Sequence, residues 1–152
     1  LFEKDLISGS IDQILSRQHS LTIYCTIKAI VNWLFLGISL SLIAFPLAAL
    51  YGLNLPSLIS LSLSLFIGTF GISIILTLFS ALALMAKQAQ ILVGLLSFPS
   101  IVPFLIFGTA AVNSVLSGSD AINLYLILIS ISLLAFLTLP LICSTLIKLA
   151  LD

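Results

Sequence analysis

The sequence predicts an all-α integral membrane protein, a polytopic helical fold in which four transmembrane helices follow a cytoplasmic amphipathic helix. Three observations carry that prediction. Hydrophobic residues make up 61% of the 152 and charged residues only 7%, against roughly 25% charged in an average soluble domain. Five Lys/Arg and five Asp/Glu are too few to clothe a surface facing water, a demand that lipid does not make. The apolar residues also fall into four long runs, each free of Asp, Glu, Lys, Arg and His. The chain reads as one transmembrane domain over 1–152, with a leading segment 1–24 and spans at about 29–50, 58–86, 91–116 and 122–147.

The leading segment opens on Glu3, Lys4 and Asp5 with no early apolar stretch, so a cleaved signal peptide does not account for the hydrophobicity. It starts at Leu1 without an initiator Met, which raises the expectation of missing upstream sequence. Ile7, Ile11, Ile14 and Leu15 recur as i, i+4, i+7, i+8 among polar neighbours, the period of an amphipathic helix. Gly9 punctuates it, and Ser10-Ile11-Asp12-Gln13 reads as a capping box with Ser10 as N-cap and Gln13 at N3. Such a stripe either rests on the membrane surface or docks on a cytosolic partner.

Each of the four runs exceeds the roughly 20 residues that cross a hydrocarbon layer of about 30 Å. The first carries Pro46 and the fourth Pro140, each asking for a mild bend. In the second, Ser60, Ser62 and Ser64 alternate with leucines as a strand would. The run is far longer than a membrane strand, and an open sheet would leave edge amides unsatisfied in lipid, so helix is predicted. Ser57, Ser60, Ser64, Gly68 and Gly71 then share one face, a small-residue stripe that reads as a surface for close helix packing, with a substrate-lining role for the serines as the alternative. The third run holds Pro99 and Pro103, with Gly94 before and Gly108 after. Two prolines four residues apart each remove a backbone donor and crowd the preceding turn, which predicts a kink or break at Pro99, Pro103 and Gly108. That kink is either structural or marks a re-entrant or hinged segment beside a translocation path.

Positive charge sets the orientation. Lys4, Arg17 and Lys28 precede or open span one, Lys87 lies between spans two and three, and Lys148 closes span four. The loops at 51–57 and 117–121 contain no Lys or Arg, so both termini are expected on the cytoplasmic side of the inner membrane.

The chemistry expected of the chain is limited. Cys25 and Cys143, the only cysteines, form no C-x-x-C, haem-attachment or zinc spacing and read as two small apolar residues at helix ends rather than a disulfide framework. His19 is the only histidine, with no Ser/His/Asp or Cys/His set to join, so the chain is expected to be no enzyme and to bind no metal or cofactor itself. A net charge of zero without a basic tract excludes nucleic acid as a partner and leaves the lipid bilayer. Spans without ionisable residues are not those of an ion-driven transporter, and no G-x-x-x-x-G-K-[ST] is present. Any transport would draw energy from another subunit.

Leu1-Phe2-x-x-Asp5 followed by Ser8-Gly9-Ser10-Ile11-Asp12-Gln13-Ile14-Leu15 resembles the D-G-[ST]-[LI]-E-Q-L stretch before the third span of ABC-2 type permeases, and most of all that of the haem exporter protein B (CcmB) family. Lys28 with Trp33 at the head of a span, Gly68-Thr69-x-Gly71, and Phe98-Pro99-x-x-x-Pro103-Phe104-Leu105-Ile106-Phe107-Gly108-Thr109-Ala110-Ala111 resemble that family's later segments in the same order. Ser8 and Asp12 stand where the family has Asp and Glu, and Arg17-Gln18-His19 replaces a Leu/Pro-rich stretch.

The resemblance implies a permease subunit energised by the ATPase CcmA and working with CcmC, CcmD and the haem chaperone CcmE in c-type cytochrome assembly, with haem as the substrate moved or delivered. It implies an ATPase-coupling role for Asp5, Gly9, Ser10, Ile11, Gln13, Ile14 and Leu15. The family has six spans, so on this likeness the chain is expected to be an N-terminally truncated copy. An ABC-2 permease for a polysaccharide or drug, or a membrane scaffold that transports nothing, remain the alternatives.

Overall fold

The structure is a computed structural model, and it describes residues 21–85 and 90–151. Among these residues four α-helices follow in chain order: α1 Leu21–Leu50, α2 Leu55–Met85, α3 Gln90–Leu116 and α4 Ile122–Leu151. With 27 to 31 residues each, they extend over roughly 40 to 46 Å at about 1.5 Å per residue. All four are long and apolar enough to cross a membrane. Residues 1–20 lie outside the described part, and with them His19 and the leading stripe of Ile7, Ile11, Ile14 and Leu15.

Helix α1 begins at Leu21, two turns ahead of the apolar run that opens near Ala29. Residues 21–24, read from the sequence as part of the leading segment, are its first turn. Polar groups do not stop the helix there because it satisfies them locally. Thr26 Oγ1 donates to the Thr22 carbonyl at 2.8 Å, and Lys28 Nζ donates to Tyr24 Oη at 3.3 Å.

Two tight turns on the same end of the bundle join α1 to α2 and α3 to α4. In the first, Gly52 has φ of 72° and the Leu53 N–H reaches back to the Ala48 carbonyl at 3.3 Å. In the second, Gly118 has φ of 75° and the Ser119 N–H reaches the Ser114 carbonyl at 2.8 Å. Both are Schellman caps, whose left-handed residue glycine adopts without strain. Asp120 Oδ1 then accepts the Ile122 N–H at 3.0 Å, which fixes the entry into α4.

Cys25 near the start of α1 touches Cys143 near the end of α4, while Ser60 and Tyr125 meet near the starts of α2 and α4. The helices therefore run up, down, up, down. Helix α2 is the hub: it packs against α1, α3 and α4, whereas α1 and α3 barely touch. The core is built from small residues and a few large ones, with Cys25, Ala29, Ile74, Ala81, Ala135, Leu139 and Cys143 buried together. Trp33, Phe66, Phe70 and Phe136 extend it as a chain of rings with centroids 4.8 to 5.6 Å apart. Phe35, Phe98, Leu134 and Leu137 point outward, as side chains solvated by lipid do.

Candidate functional site

The hub helix owes its three partners to side chains that shorten the distance between backbones. Along α2, Ser57, Ser60, Ser64, Thr69, Ser73 and Thr77 are all buried. Several of them close hydrogen bonds across an interface. Toward α1, Ser73 Oγ donates to the Ala29 carbonyl at 2.9 Å and accepts from Asn32 Nδ2 at 3.0 Å, while Trp33 Nε1 donates to the Phe66 carbonyl at 3.1 Å. Toward α4, Tyr125 Oη donates to the Ser60 carbonyl at 2.9 Å and lies 2.6 Å from Ser60 Oγ. Toward α3, Ser64 Oγ donates to the Gly108 carbonyl at 2.8 Å. In lipid no water competes for these groups, so each bond ties one helix to its neighbour.

Between α2 and α3 this packing leaves a groove of about 310 Å³. Glycines set its shape. A Cβ on Gly71 would fall within the ring of Phe104, so the two helices meet there in direct ring-to-backbone contact. A Cβ on Gly108 would come 2.9 Å from Ser64 Oγ, which explains how the Ser64 hydroxyl reaches the Gly108 carbonyl. Gly68, one turn from Ser64, has no atom within 4 Å of the place its Cβ would occupy, and it opens onto the groove. Leu61, Leu65 and Ile72 of α2 and Phe104, Leu105 and Val112 of α3 supply apolar walls.

The hydroxyls lining the groove are already engaged. Thr69 Oγ1 donates to the Phe66 carbonyl at 3.1 Å, and Thr109 Oγ1 lies 2.7 Å from the Leu105 carbonyl and 3.1 Å from that of Ile106. With their protons bound to backbone, these hydroxyls offer a ligand only acceptor oxygens. Asn113 is the one amide side chain in the lining, and no lining residue is ionisable. The groove can thus hold an apolar body by dispersion and shape. Among the described residues no group of three or more His, Cys, Asp or Glu could hold a metal ion.

Of the residues singled out in the sequence, Gly108 lines the groove and Pro99 and Pro103 lie on the same helix before it, outside the lining. Of the kink or break expected at Pro99, Pro103 and Gly108, a break does not occur: α3 is one helix from Gln90 to Leu116 with both prolines inside it. A proline costs a helix one internal bond but does not end it when packing holds the next turn, as Phe104 against Gly71 does here. Asp5, Gly9, Ser10, Ile11, Gln13, Ile14 and Leu15 lie outside the described residues. Asn32 and Asn113 went unread in the sequence, although an amide inside an apolar run is itself a signal that a polar partner or a cavity faces it.

Comparison with known proteins gives a consistent pattern. The family model described as CcmB protein matches residues 1–150. The chain is 32% identical over 140 residues to "Heme exporter protein B" of Pseudomonas aeruginosa, which covers 92% of this chain and 63% of that protein. It is 34% identical over 113 residues to the protein of the same name from Rhodobacter capsulatus, covering 74% of this chain and 52% of that one. The corresponding protein of Paracoccus denitrificans is 32% identical over 133 residues, 88% of this chain and 61% of its own length. The chain thus spans between half and two thirds of the length of these curated relatives.

Proposed function

The chain belongs to the CcmB protein family, and from that premise we propose that it forms the membrane-spanning part of an ABC permease for haem export or delivery in c-type cytochrome biogenesis. The observation that carries this reading is the similarity to heme exporter protein B over 92% of the chain. The physical chemistry supports it. The described parts of the four helices form a bundle with an apolar groove and no ionisable lining, which supplies no means of coupling to an ion gradient. Energy then comes from a separate ATPase, for which the family resemblance supplies CcmA, with CcmC, CcmD and the chaperone CcmE as further partners.

In this reading the leading segment, with Asp5, Gly9, Ser10, Ile11, Gln13, Ile14 and Leu15, docks on the ATPase, and α3 with its two prolines and Gly108 borders the path of the substrate. On this reading the protein sits in the inner membrane with both termini in the cytoplasm, an orientation that the placement of its basic residues supports.

Deleting the reading frame in its own cell tests the proposal. Covalent haem on c-type cytochromes, read by haem staining of denatured protein, should be lost while b-type haem proteins persist, and a plasmid copy should restore it. Unchanged c-type staining would refute the haem assignment and leave a permease for another substrate. Loss of staining with the ATPase fully active and correctly assembled without this chain would point to a scaffold instead.

A further inference from the structure

The two cysteines lie 118 residues apart in sequence, on the first helix and the last, and the fold brings them into contact. Cys143 Sγ lies 2.6 Å from Cys25 Sγ, and both side chains are fully buried. They are free thiols. A bonded pair sits at about 2.05 Å, so closure asks for roughly half an ångström of movement, within the give of two packed helices. Around them stand Ala29, Leu139 and the half-buried Tyr24 and Leu146, a setting without a metal-ligating third group among the described residues.

We propose that Cys25 and Cys143 are a peroxide-responsive dithiol that closes to a disulfide joining α1 to α4. Full burial decides the class of oxidant. A protein disulfide or a bulky thiol reagent needs in-line access to a sulfur, which this packing denies, whereas hydrogen peroxide is small, uncharged and soluble enough in membranes to arrive. One thiolate sulfur attacks peroxide, the O–O bond breaks, and a sulfenic acid and one water form after proton transfer. The second sulfur displaces the sulfenic oxygen as a second water, making the S–S bond. Two thiols and one peroxide give one disulfide and two waters, with the two electrons passing from sulfur to oxygen. Since α1 and α4 share less contact with each other than either shares with α2, the bond would reinforce one of the thinner interfaces of the bundle.

The test uses the full chain in its native membranes, treated with hydrogen peroxide or left untreated, freed of peroxide with catalase, then denatured and alkylated with polyethylene-glycol maleimide. Untreated protein should take two adducts. Peroxide-treated protein should take none, run as a monomer, weigh less by two hydrogen atoms, and regain both adducts after reduction. Cys25→Ser and Cys143→Ser should each keep one alkylatable thiol after the same treatment. Persistence of both adducts after peroxide would overturn the proposal. So would a gain of oxygen without a bridge, disulfide-linked dimers in place of the monomer, or a bridge already complete before peroxide is added.

Discussion

At the residue scale the bundle is governed by what glycine and serine leave room for. Ser73 is held from both sides, by the Ala29 carbonyl and the Asn32 amide, whereas the buried hydroxyls of Ser41 and Ser62 make no hydrogen bond among the described residues. The side-chain hydrogen bonds that cross between helices are concentrated where α2 meets a neighbour. The glycines divide in the same way. Gly71 is filled by Phe104 and Gly68 faces open space, so the two should respond oppositely to one added methyl. Gly71→Ala must push the ring away, an overpacking that costs about 1 to 3 kcal/mol. Gly68→Ala meets nothing and gains up to about 1 kcal/mol of helix propensity. Denaturation in mixed detergent, followed by Trp33 fluorescence, should show the Gly71 variant unfolding earlier than wild type and the Gly68 variant no earlier. Equal destabilisation by both would mean that the groove is closed.

At the element scale the four helices were legible because each apolar run is long and free of ionisable residues, a signal that does not depend on knowing partners. The ends of α1 were less so. From the sequence, residues 21–24 belong to the leading segment and the span opens near Ala29, whereas the helix-internal bonds from Thr26 and Lys28 keep the polar residues before it helical. What faces what was mostly illegible, because a helix that is apolar on all sides carries little stripe to orient it. The small-residue face of α2 was the exception: close packing occurs at Ser60, Ser64 and Gly71, while Gly68 opens onto the groove. The contacts of Asn32 with Ser73 and of Cys25 with Cys143 join distant residues that no local pattern connects. The leading segment is the one element with a clear stripe, and it supports a test of its own. Burying one isoleucine is worth roughly 1.5 to 3 kcal/mol, so if the segment docks on an ATPase as proposed, Ile14→Asp should weaken that docking by about tenfold or more. Recovery of the ATPase with the affinity-tagged permease, at equal membrane levels, reads this. Full recovery together with a segment loosened from lipid would place the stripe on the membrane surface instead.

At the scale of the whole molecule, the fold ties together the two arguments that set its orientation. Cys25 against Cys143 puts the start of α1 and the end of α4 at one end of the bundle. Lys28 and Lys148 belong to that end, where α2 also finishes at Met85 and α3 begins at Gln90, with Lys87 between them in the sequence. The turns after Leu50 and after Leu116 lie at the other end, where the sequence from 51 to 57 and 117 to 121 holds Asp120 but no Lys or Arg. The charge asymmetry is therefore an asymmetry of one compact bundle, and the positive-inside rule applies to it as a unit. The native cysteines are poor reporters of it. Both are fully buried, so an impermeant thiol reagent should miss them from either side, and their silence would discriminate nothing. Tyr51 and Ser119 are exposed on the two turns. With Cys25 and Cys143 replaced by Ala, Tyr51→Cys and Ser119→Cys should each react with an impermeant maleimide added to intact spheroplasts. Lys87→Cys should react only after the membrane is opened. The reverse pattern would turn the protein over in the membrane, and labelling of one turn without the other would mean that an odd number of crossings separates them, breaking the four-span arrangement itself.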